Sequence, residues 1–583
     1  MTKPFRNLPT RRGILGGLAG GSVAACSDTK RGPFTARSDS RTGRFSHGIA
    51  SGDPFKNSVM LWTRITPDEE GDISVTWEVS DTEDFGSLIN KGDIKTGKVK
   101  DYTVKVEAKN LKADSWYYYR FRVGDTVSAV GRTRTLPDGP TKEAHFAVVS
   151  CANWQHGYFN VYDQIAREAK INPYDALIHL GDYYYEYAAD PTPLIADRVH
   201  DPKNEIINLD DYRRRHAQYR SDPTLQDTTA QMPLIAVWDD HETSNDSWKG
   251  GAENHTEGNG PGGEGSWADR KEAALRAYYE WMPIREPKFG HDRTEIYRAF
   301  EWGDLASLVC VETRLTARAE QIIFENFVDE ITAPGGAEKF KKEKLYDPSR
   351  EMFGDAQQDF IVDTLKKSKQ DGTTWRLLIN QVIMGRLLTP DFTPYIDEAA
   401  LVKIEKDWAG VRGFLTLSKY SLPVYPDSWD GYPVARENFY KALSEAGVND
   451  MVVLTGDAHE FWANELKSED ESQKYGVELV TSSVSSQTLV AYLGDATADH
   501  NLLLTQSNAD ARYYNALVHG YIDLRVSKKN IKAKMMAVTT VLSRDYESFE
   551  AAEFTLQKSG DTVKIGSPKG LNFKQRLLFH GLG

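Results

Sequence analysis

Cysteine is nearly absent: 583 residues carry only Cys26, Cys151 and Cys310. An odd count this small excludes a disulfide framework, so each cysteine has its own fate. Basic residues are in deficit, 71 against 85 acidic, for a formal net charge of −14. Affinity for a nucleic-acid backbone comes mainly from Lys and Arg, so this balance excludes nucleic-acid binding by charge. It leaves anionic substrates open, because bound metal ions supply positive charge inside an acidic protein. Long apolar runs are missing too. The one candidate, residues 13–25, falls well short of the ~20 residues that span a bilayer. What is present is ample core material, with 40% hydrophobic residues. At roughly 100–200 residues per domain, this length predicts more than one domain.

The amino terminus reads as an address. Thr10-Arg11-Arg12-Gly13-Ile14-Leu15 resembles a twin-arginine export signal; an ordinary basic start for general secretion is the alternative. The short Gly-rich apolar run that follows ends in small residues, as a cleaved signal does. Val23-Ala24-Ala25-Cys26 resembles a lipobox, which would make Cys26 the lipidated first residue of the mature chain. Residues 27–42 are polar and read as a tether. The expectation is an exported protein, periplasmic or at the cell surface. It would be handed to the twin-arginine machinery and touch the membrane only through a lipid anchor.

Residues 43–138 alternate with period two in short runs at 59–62, 73–79, 103–106 and 117–121. Turn residues separate the runs at sandwich-like intervals. Residues 111–119 resemble the tyrosine-corner region of fibronectin type III domains. The prediction is a fibronectin/Ig-like β-sandwich over 43–138, closed by Thr135-Leu136-Pro137-Asp138-Gly139-Pro140.

From residue 145 the pattern changes. Residues 146–150 form an apolar run of strand length that ends at Cys151. Residues 157–169 then put Phe159, Tyr162, Ile165 and Ala166 on one helical face. The run 176–180 enters Gly181-Asp182-Tyr183-Tyr184-Tyr185-Glu186-Tyr187. Gly181 permits a tight turn, Asp182 stands at the strand tip, and Tyr185 reaches the same point. A third run, 234–238, ends in Asp239-Asp240-His241-Glu242. A fourth, 451–455, ends in Gly456-Asp457-Ala458-His459-Glu460. Open sheets bind ligands at the carboxyl ends of their strands, so four such ends predict one convergent site. His179 reads as a core histidine, Tyr183, Tyr184 and Tyr187 as packing, and Glu242 and Glu460 as structural. Asp239 reads equally as a ligand or as a helix cap or supporting group behind the ligands. Cys151 alone reads as a buried small hydrophobe; its place at a strand end makes it a candidate ligand. Cys310 reads as strand core. A Cys151–Cys310 disulfide suits an oxidising compartment but would remove that ligand.

The donor set is rich in hard oxygens and poor in histidine, which suits Ca²⁺, Mg²⁺ or Mn²⁺ better than zinc. The Cys151 thiol and the Tyr185 phenol must both lose protons to bind well, and a ferric ion could hold both.

The order of these clusters resembles the calcineurin-like metallophosphoesterases, and within them the PhoD-like alkaline phosphatase/phosphodiesterase family. The resemblance rests on Ser150-Cys151, residues 181–187, Trp238-Asp239-Asp240-His241-Glu242, Tyr212-Arg213-Arg214-Arg215, residues 427–432 and Gly456-Asp457-Ala458-His459. It implies an α+β fold: the front sandwich, then a four-layer α/β/β/α metallophosphoesterase domain over 145–565 and a tail at 566–583. It implies one iron on Cys151, Asp182 and Tyr185, and one or two calcium ions on Asp240 and Asp457, with Asp182 bridging. It adds Asn245 as a further calcium ligand. His241 would stabilise charge or protonate the leaving oxygen, and His459 would be a ligand or a phosphate contact. Asp182 and His241 are then the catalytic residues, and a metal-bridging hydroxide or oxide attacks phosphorus. The substrate would be a small or polymeric phosphate ester. A phospholipase-D-like phosphodiesterase on the same site is the enzyme alternative. A surface binding protein is the alternative from another class, and it leaves the four strand ends unexplained.

Residues 211–220 read as a helix with Tyr212, His216 and Tyr219 on one face. Its arginines read as a solvated face, with one of them a candidate phosphate contact. Residues 249–266, with seven glycines, read as a mobile loop rather than a lid. Residues 515–565 carry strand patterns that could complete the main sheets. Residues 316–350 show no clear period.

Overall fold

Residues buried on both faces of a sheet give continuous apolar runs rather than alternation, and the runs from 146 onward become two packed sheets of that kind. The computed structural model describes residues 41–405, 410–489, 491 and 497–569; Cys26 and most of the 566–583 tail lie outside the described residues. The first sheet has ten strands, in the order Thr562–Ile565, Ser548–Ser559, Ile531–Val538, His519–Ser527, Glu143–Val149, Ala176–His179, Leu234–Ala236, Ile49–Gly52, Val59–Arg64 and Thr103–Ala108. Glu143–Val149, Ala176–His179 and Leu234–Ala236 run parallel at its centre. The second sheet has seven strands, in the order Arg298–Trp302, Ala306–Cys310, Trp375–Ile379, Met451–Thr455, Lys474–Val480, Phe461–Lys467 and Ala511–Asn515. Four of them, from Ala306–Cys310 to Lys474–Val480, are parallel neighbours.

Successive side chains of a strand point to opposite faces, and each face finds a partner here. Phe146, Val148, Ile178 and Ile235 pack in one cluster with Leu308, Leu377, Ile379, Val452, Leu454 and Leu479 of the second sheet. The alternate residues Ala147, Val149, Leu177 and Leu234 pack with Val161, Tyr162 and Ile165 of the helix Asn160–Ile171 and with Tyr212 and Tyr219 of Leu209–Arg220. On the second sheet, Val309, Leu378 and Val453 meet Ile361 and Leu365 of Asp355–Gln370 and Phe439 and Leu443 of Pro433–Glu445.

The alternating segments between 43 and 138 divide between two sheets. Ile73–Ser80, Leu88–Thr96, Trp116–Val123 and Gly131–Arg134 make a separate sheet together with Thr126–Val127. Val75, Val79, Tyr119 and Phe121 of that sheet pack against Val59, Leu61 and Val104 of the ten-stranded one. Lys112 N–H donates to the Tyr117 hydroxyl oxygen at 2.8 Å, in the region read as a tyrosine corner. Strand pairing crosses the boundary placed at 138, because Gly52 pairs with Leu234. The strands from 519 onward do extend the main sheet, as their pattern suggested. Residues 316–350, which showed no period, fold as short helical turns. Ile322, Phe324, Ile331, Phe340 and Leu345 cluster there with Leu417 and Leu422.

His179 is the core histidine its mid-strand position predicted, with Nε2 2.8 Å from the Tyr162 hydroxyl. Burial lowers its pKa from 6.5 to about 3. The unfolded chain therefore takes up a proton that the native state refuses between those values. Its contribution is complete above pH 6.5 and is lost as pH falls towards 3, at about 1.4 kcal/mol per pH unit. His179→Asn should flatten the slope of unfolding free energy against pH by about one proton between pH 4 and 6. Denaturant titrations of both proteins across that range measure it, and equal slopes would contradict the assignment.

Candidate active site

The parallel strands converge on one edge. Cys151, Asp182, Asp239, Asp240, Asp457 and His459 all lie just beyond the carboxyl ends of Glu143–Val149, Ala176–His179, Leu234–Ala236 and Met451–Thr455. The chain turns abruptly there, and φ is +61° at Cys151, +54° at Asp182, +62° at Asp457 and +59° at His459. Left-handed backbone is costly for side chains with a Cβ, so four such residues at one edge mark a built site. Two glycines let the edge close. A Cβ on Gly181 (φ +112°) would fall 2.5 Å from Asp239 Cβ, and one on Gly456 would fall 2.7 Å from Ser150 Cβ.

The turns are tied to each other. Cys151 N–H donates to Gly181 O at 3.2 Å, Ala152 N–H to Asp182 O at 2.9 Å, and Val484 N–H to Ser150 O at 2.9 Å. Glu242 is structural, as expected: it accepts from the backbone N–H groups of Asp182, Tyr183 and Asp239 at 3.1, 2.6 and 2.8 Å. Glu312 does the same for Arg314, Leu315 and Thr316.

Inside this frame Asp182 is the common member. Its Oδ2 lies 3.4 Å from Cys151 Sγ and 3.2 Å from the Tyr185 hydroxyl. The Tyr185 hydroxyl also stands 3.0 Å from His459 Nε2 and 2.7 Å from Ser486 Oγ. Among the described residues, three groups have ligand atoms mutually within 4.8 Å: Cys151, Asp182 and His459; Asp182, Asp240 and His241; and Asp182, Asp239, Asp240 and Asp457. Asn245 Oδ1 accepts from Tyr187 at 2.7 Å and its amide donates to Glu253 at 2.6 Å. Cys151 and Cys310 are both free thiols, so the disulfide alternative is absent.

The electrostatics are those of a site short of positive charge. Burial, and then the charge of Asp182, push the Cys151 thiol and the Tyr185 phenol well above their usual values. Burial raises Asp239 to about 6 against the opposing pull of Arg314. Asp457 is raised by burial and by Asp239. Burial disfavours a charge on His241, but Asp240, Glu186 and Asp182 outweigh it and lift its pKa well above 6.5. His241 Nδ1 donates to Glu186 at 2.7 Å. Burial sends His459 down to about 3, so it is neutral. Its Nδ1 lies 2.9 Å from the carbonyl of Gln487, which can only accept. The hydrogen is therefore on Nδ1, and Nε2 offers a lone pair.

These donors fit metal ions. Asp182 Oδ1, Asp239 Oδ2 and Asp240 Oδ1 are buried oxygens with no hydrogen-bond partner, which folded proteins rarely tolerate. Oxygen donors beside a thiol and a phenol match hard, strongly acidic cations.

Reading by segments missed several of the residues here. Arg314 is fully buried and pairs with Asp239 at 2.5 Å, Asp427 at 2.6 Å and Asp457 at 3.3 Å. Asp427 stands in a motif that sequence reading quoted without giving it a role, and Arg318 pairs with it as well. Asp239, read equally as a ligand or as a cap or supporting group, lies within the cluster. One expectation holds only in part. The arginines of Leu209–Arg220 do not share one solvated face: Arg214 is exposed beside Asp201, whereas Arg213 is half-buried and Arg215 and Arg220 are buried. Arg213 pairs with Glu280, and buried Arg215 donates to the carbonyls of Tyr185 and Tyr187 and so props up the Tyr185 turn. The Gly-rich segment 249–266 is anchored beside the site at Asn254, whose O accepts from Ser244 and Arg270.

Comparison with known proteins agrees with this geometry. Residues 146–535 match the family profile of the PhoD-like phosphatases, and residues 30–137 match that of the PhoD-like phosphatase N-terminal domain. The chain is 32% identical over 533 residues to alkaline phosphatase D of Bacillus subtilis (strain 168), covering 88% of this chain and 81% of that protein. It is also similar to the solved structure of PhoD, with a TM-score of 0.71 and 29% identity over 93% of this chain and 97% of that one. With the profile spanning most of the chain, and the strand-end clusters lying within it, this protein belongs to the PhoD-like phosphatase family.

Proposed function

We propose that this chain hydrolyses phosphate esters, whether monoesters, diesters or both, in a metal-dependent reaction at the clustered strand ends. The observation that carries the reading is the set of unpartnered, buried carboxylate oxygens on Asp182, Asp239 and Asp240 beside Cys151 and Tyr185. On this reading the two packed sheets with helices against their outer faces are the four-layer α/β/β/α phosphoesterase core. The front sheets are its fibronectin/Ig-like sandwich.

Cys151, Asp182 and Tyr185 would hold iron, and the lone pair on His459 Nε2 favours a place beside them. Asp182 would be shared with calcium on Asp240 and Asp457, with Asn245 at the margin of that side. Mn²⁺ or Mg²⁺ are the alternatives there. Bound metal supplies Lewis acidity, acidifying a water and neutralising phosphate oxygens. The chain does the rest. Glu186 orients His241 and keeps it protonated, so the imidazolium can stabilise charge on the ester and give a proton to the leaving oxygen. Arg314 holds Asp239 and Asp457 in place. The turns at Cys151, Asp182 and Asp457 fix the donors before any ligand arrives.

Purified native protein should contain iron and calcium and absorb visible light through a Tyr185–iron charge transfer that Tyr185→Phe removes. Colourless protein containing only zinc would overturn the iron assignment. Cys151→Ala and Asp182→Ala should each lower hydrolysis of an aryl phosphate by at least about 100-fold, since even outer partners of a metal ligand matter up to that much. Full activity in both would sink the site. A panel of mono- and diesters, read as kcat/KM, sets the substrate class.

The amino-terminal reading belongs to the same proposal. Arg11→Lys with Arg12→Lys should leave the protein in the cytoplasm. Cys26→Ala should release exported protein from the membrane fraction. Cell fractionation measures both, and unchanged distributions would refute the twin-arginine and lipid-anchor assignments respectively.

A further inference from the structure

One residue beside the site makes opposite demands on two histidines. The carbonyl of Gln487 receives the Nδ1 hydrogen of His459 at 2.9 Å. The N–H of the same residue points at His156 Nδ1, 3.2 Å away. An amide N–H can only donate, so His156 Nδ1 is an unprotonated acceptor and the ring's single hydrogen sits on Nε2. The two imidazoles are thus fixed in opposite tautomers. His459 presents a lone pair, which suits a metal. His156 presents an N–H, which a metal cannot use.

His156 stands five residues beyond Cys151, in the turn that follows Glu143–Val149. Its Nδ1 is committed to Gln487, while Nε2 has no partner among the described residues. The ring is half-buried. Burial lowers its pKa to about 4, with Asp190 raising it and His241 lowering it, so it lies within electrostatic reach of His241 and is neutral at pH 7. It also helps to hold His459 neutral. The loop that does the sorting is itself fixed. Ser486 Oγ donates to Cys151 O at 2.9 Å, and His519 Nε2 is 3.0 Å from Ser486 O.

The geometry points to His156 as a substrate-binding residue that donates its Nε2–H to an oxygen of the phosphate ester. The role rests on the phosphoesterase reading above and extends it, since neither sequence motif nor metal clustering assigns anything to this residue. A neutral N–H donor contributes binding without adding a ligand to the cluster. It is absent from every group whose donor atoms converge on Asp182.

The test compares His156→Phe, which keeps a ring and loses the donor, with His156→Gln, which keeps an N–H. Metal content, melting temperature, aryl phosphate kinetics and inhibition by inorganic phosphate are measured for each against the wild-type holoenzyme. His156→Phe should raise KM and the phosphate inhibition constant by about ten-fold, the usual effect of losing a hydrogen bond to a charged group. Metal content should not change, and His156→Gln should recover part of the loss. Unchanged KM and phosphate inhibition in His156→Phe would overturn the proposal. So would a loss of metal in proportion to activity, which would make the residue a ligand or a structural support. If wild-type holoenzyme hydrolyses no ester, the parent reading fails. Calorimetric binding of inorganic phosphate then still decides the donor role, with equal affinities in wild type and His156→Phe refuting it.

Discussion

Negative charge crowded into a buried place is the constraint on which this structure depends. Asp182, Asp239 and Asp240 are almost wholly buried, and the partly exposed Asp457 stands within ligand distance of them. Carboxylates so placed raise one another's pKa values and favour neutral forms. Two protein cations oppose this, Arg314 and the protonated His241. They are enough to hold Asp240 below the ordinary carboxylate range but leave Asp182 and Asp457 raised. The fold therefore invests in rigidity around the cluster. Buried glutamates gather the backbone N–H groups of the turns, Glu242 on one sheet and Glu478 behind Met384 and Gly385 on the other. Each removes donors that would otherwise be orphaned and fixes a strand end.

Left-handed backbone at the four site residues belongs to the same economy of space. Each costs about 1 kcal/mol or more relative to ordinary φ. It persists because neighbouring strand ends leave no alternative path: Gly181 lies against Asp239, and Gly456 against Ser150. Tight turns throw the side chains forward onto one point instead of along the sheet edge. Convergence is thus a property of the turns, and the sheets supply the anchorage through their shared core.

Much of this was legible in the sequence, for a local reason. An apolar run followed at once by Asp, Cys or His declares both a strand and what stands at its tip. So Cys151, Asp182, Asp240 and Asp457 could be placed together before any coordinates. Arg314 could not. It follows Ala306–Cys310 after Val311-Glu312-Thr313, and nothing near it says that its partners lie far off at Asp239 and Asp457. The loop at Ser486 and Gln487 is hidden likewise, since serine and glutamine after a strand read as an ordinary turn. Arg215 misled because a helix pattern shows which face is buried but not what waits there, and its guanidinium met the carbonyls of the Tyr185 turn. Pairing of Gly52 with Leu234 is equally non-local.

The choice of ligands follows from the same charge problem. Neutral histidine binds metal without giving up a proton, whereas Cys151 and Tyr185 must each lose one, and their surroundings push both pKa values up. A weakly acidifying ion leaves such donors protonated and gains little from them. An ion acidic enough to strip both gains two anionic donors and relieves the crowding around Asp182 in the same step. On the proposed reading, then, the difficulty of ionising this thiol and this phenol selects the ion. Hard-oxygen groups on the Asp240 and Asp457 side make no such demand and suit a less acidic cation. Asp182, common to every cluster, is where the two preferences have to be reconciled, and that makes it the residue whose loss neither side can absorb.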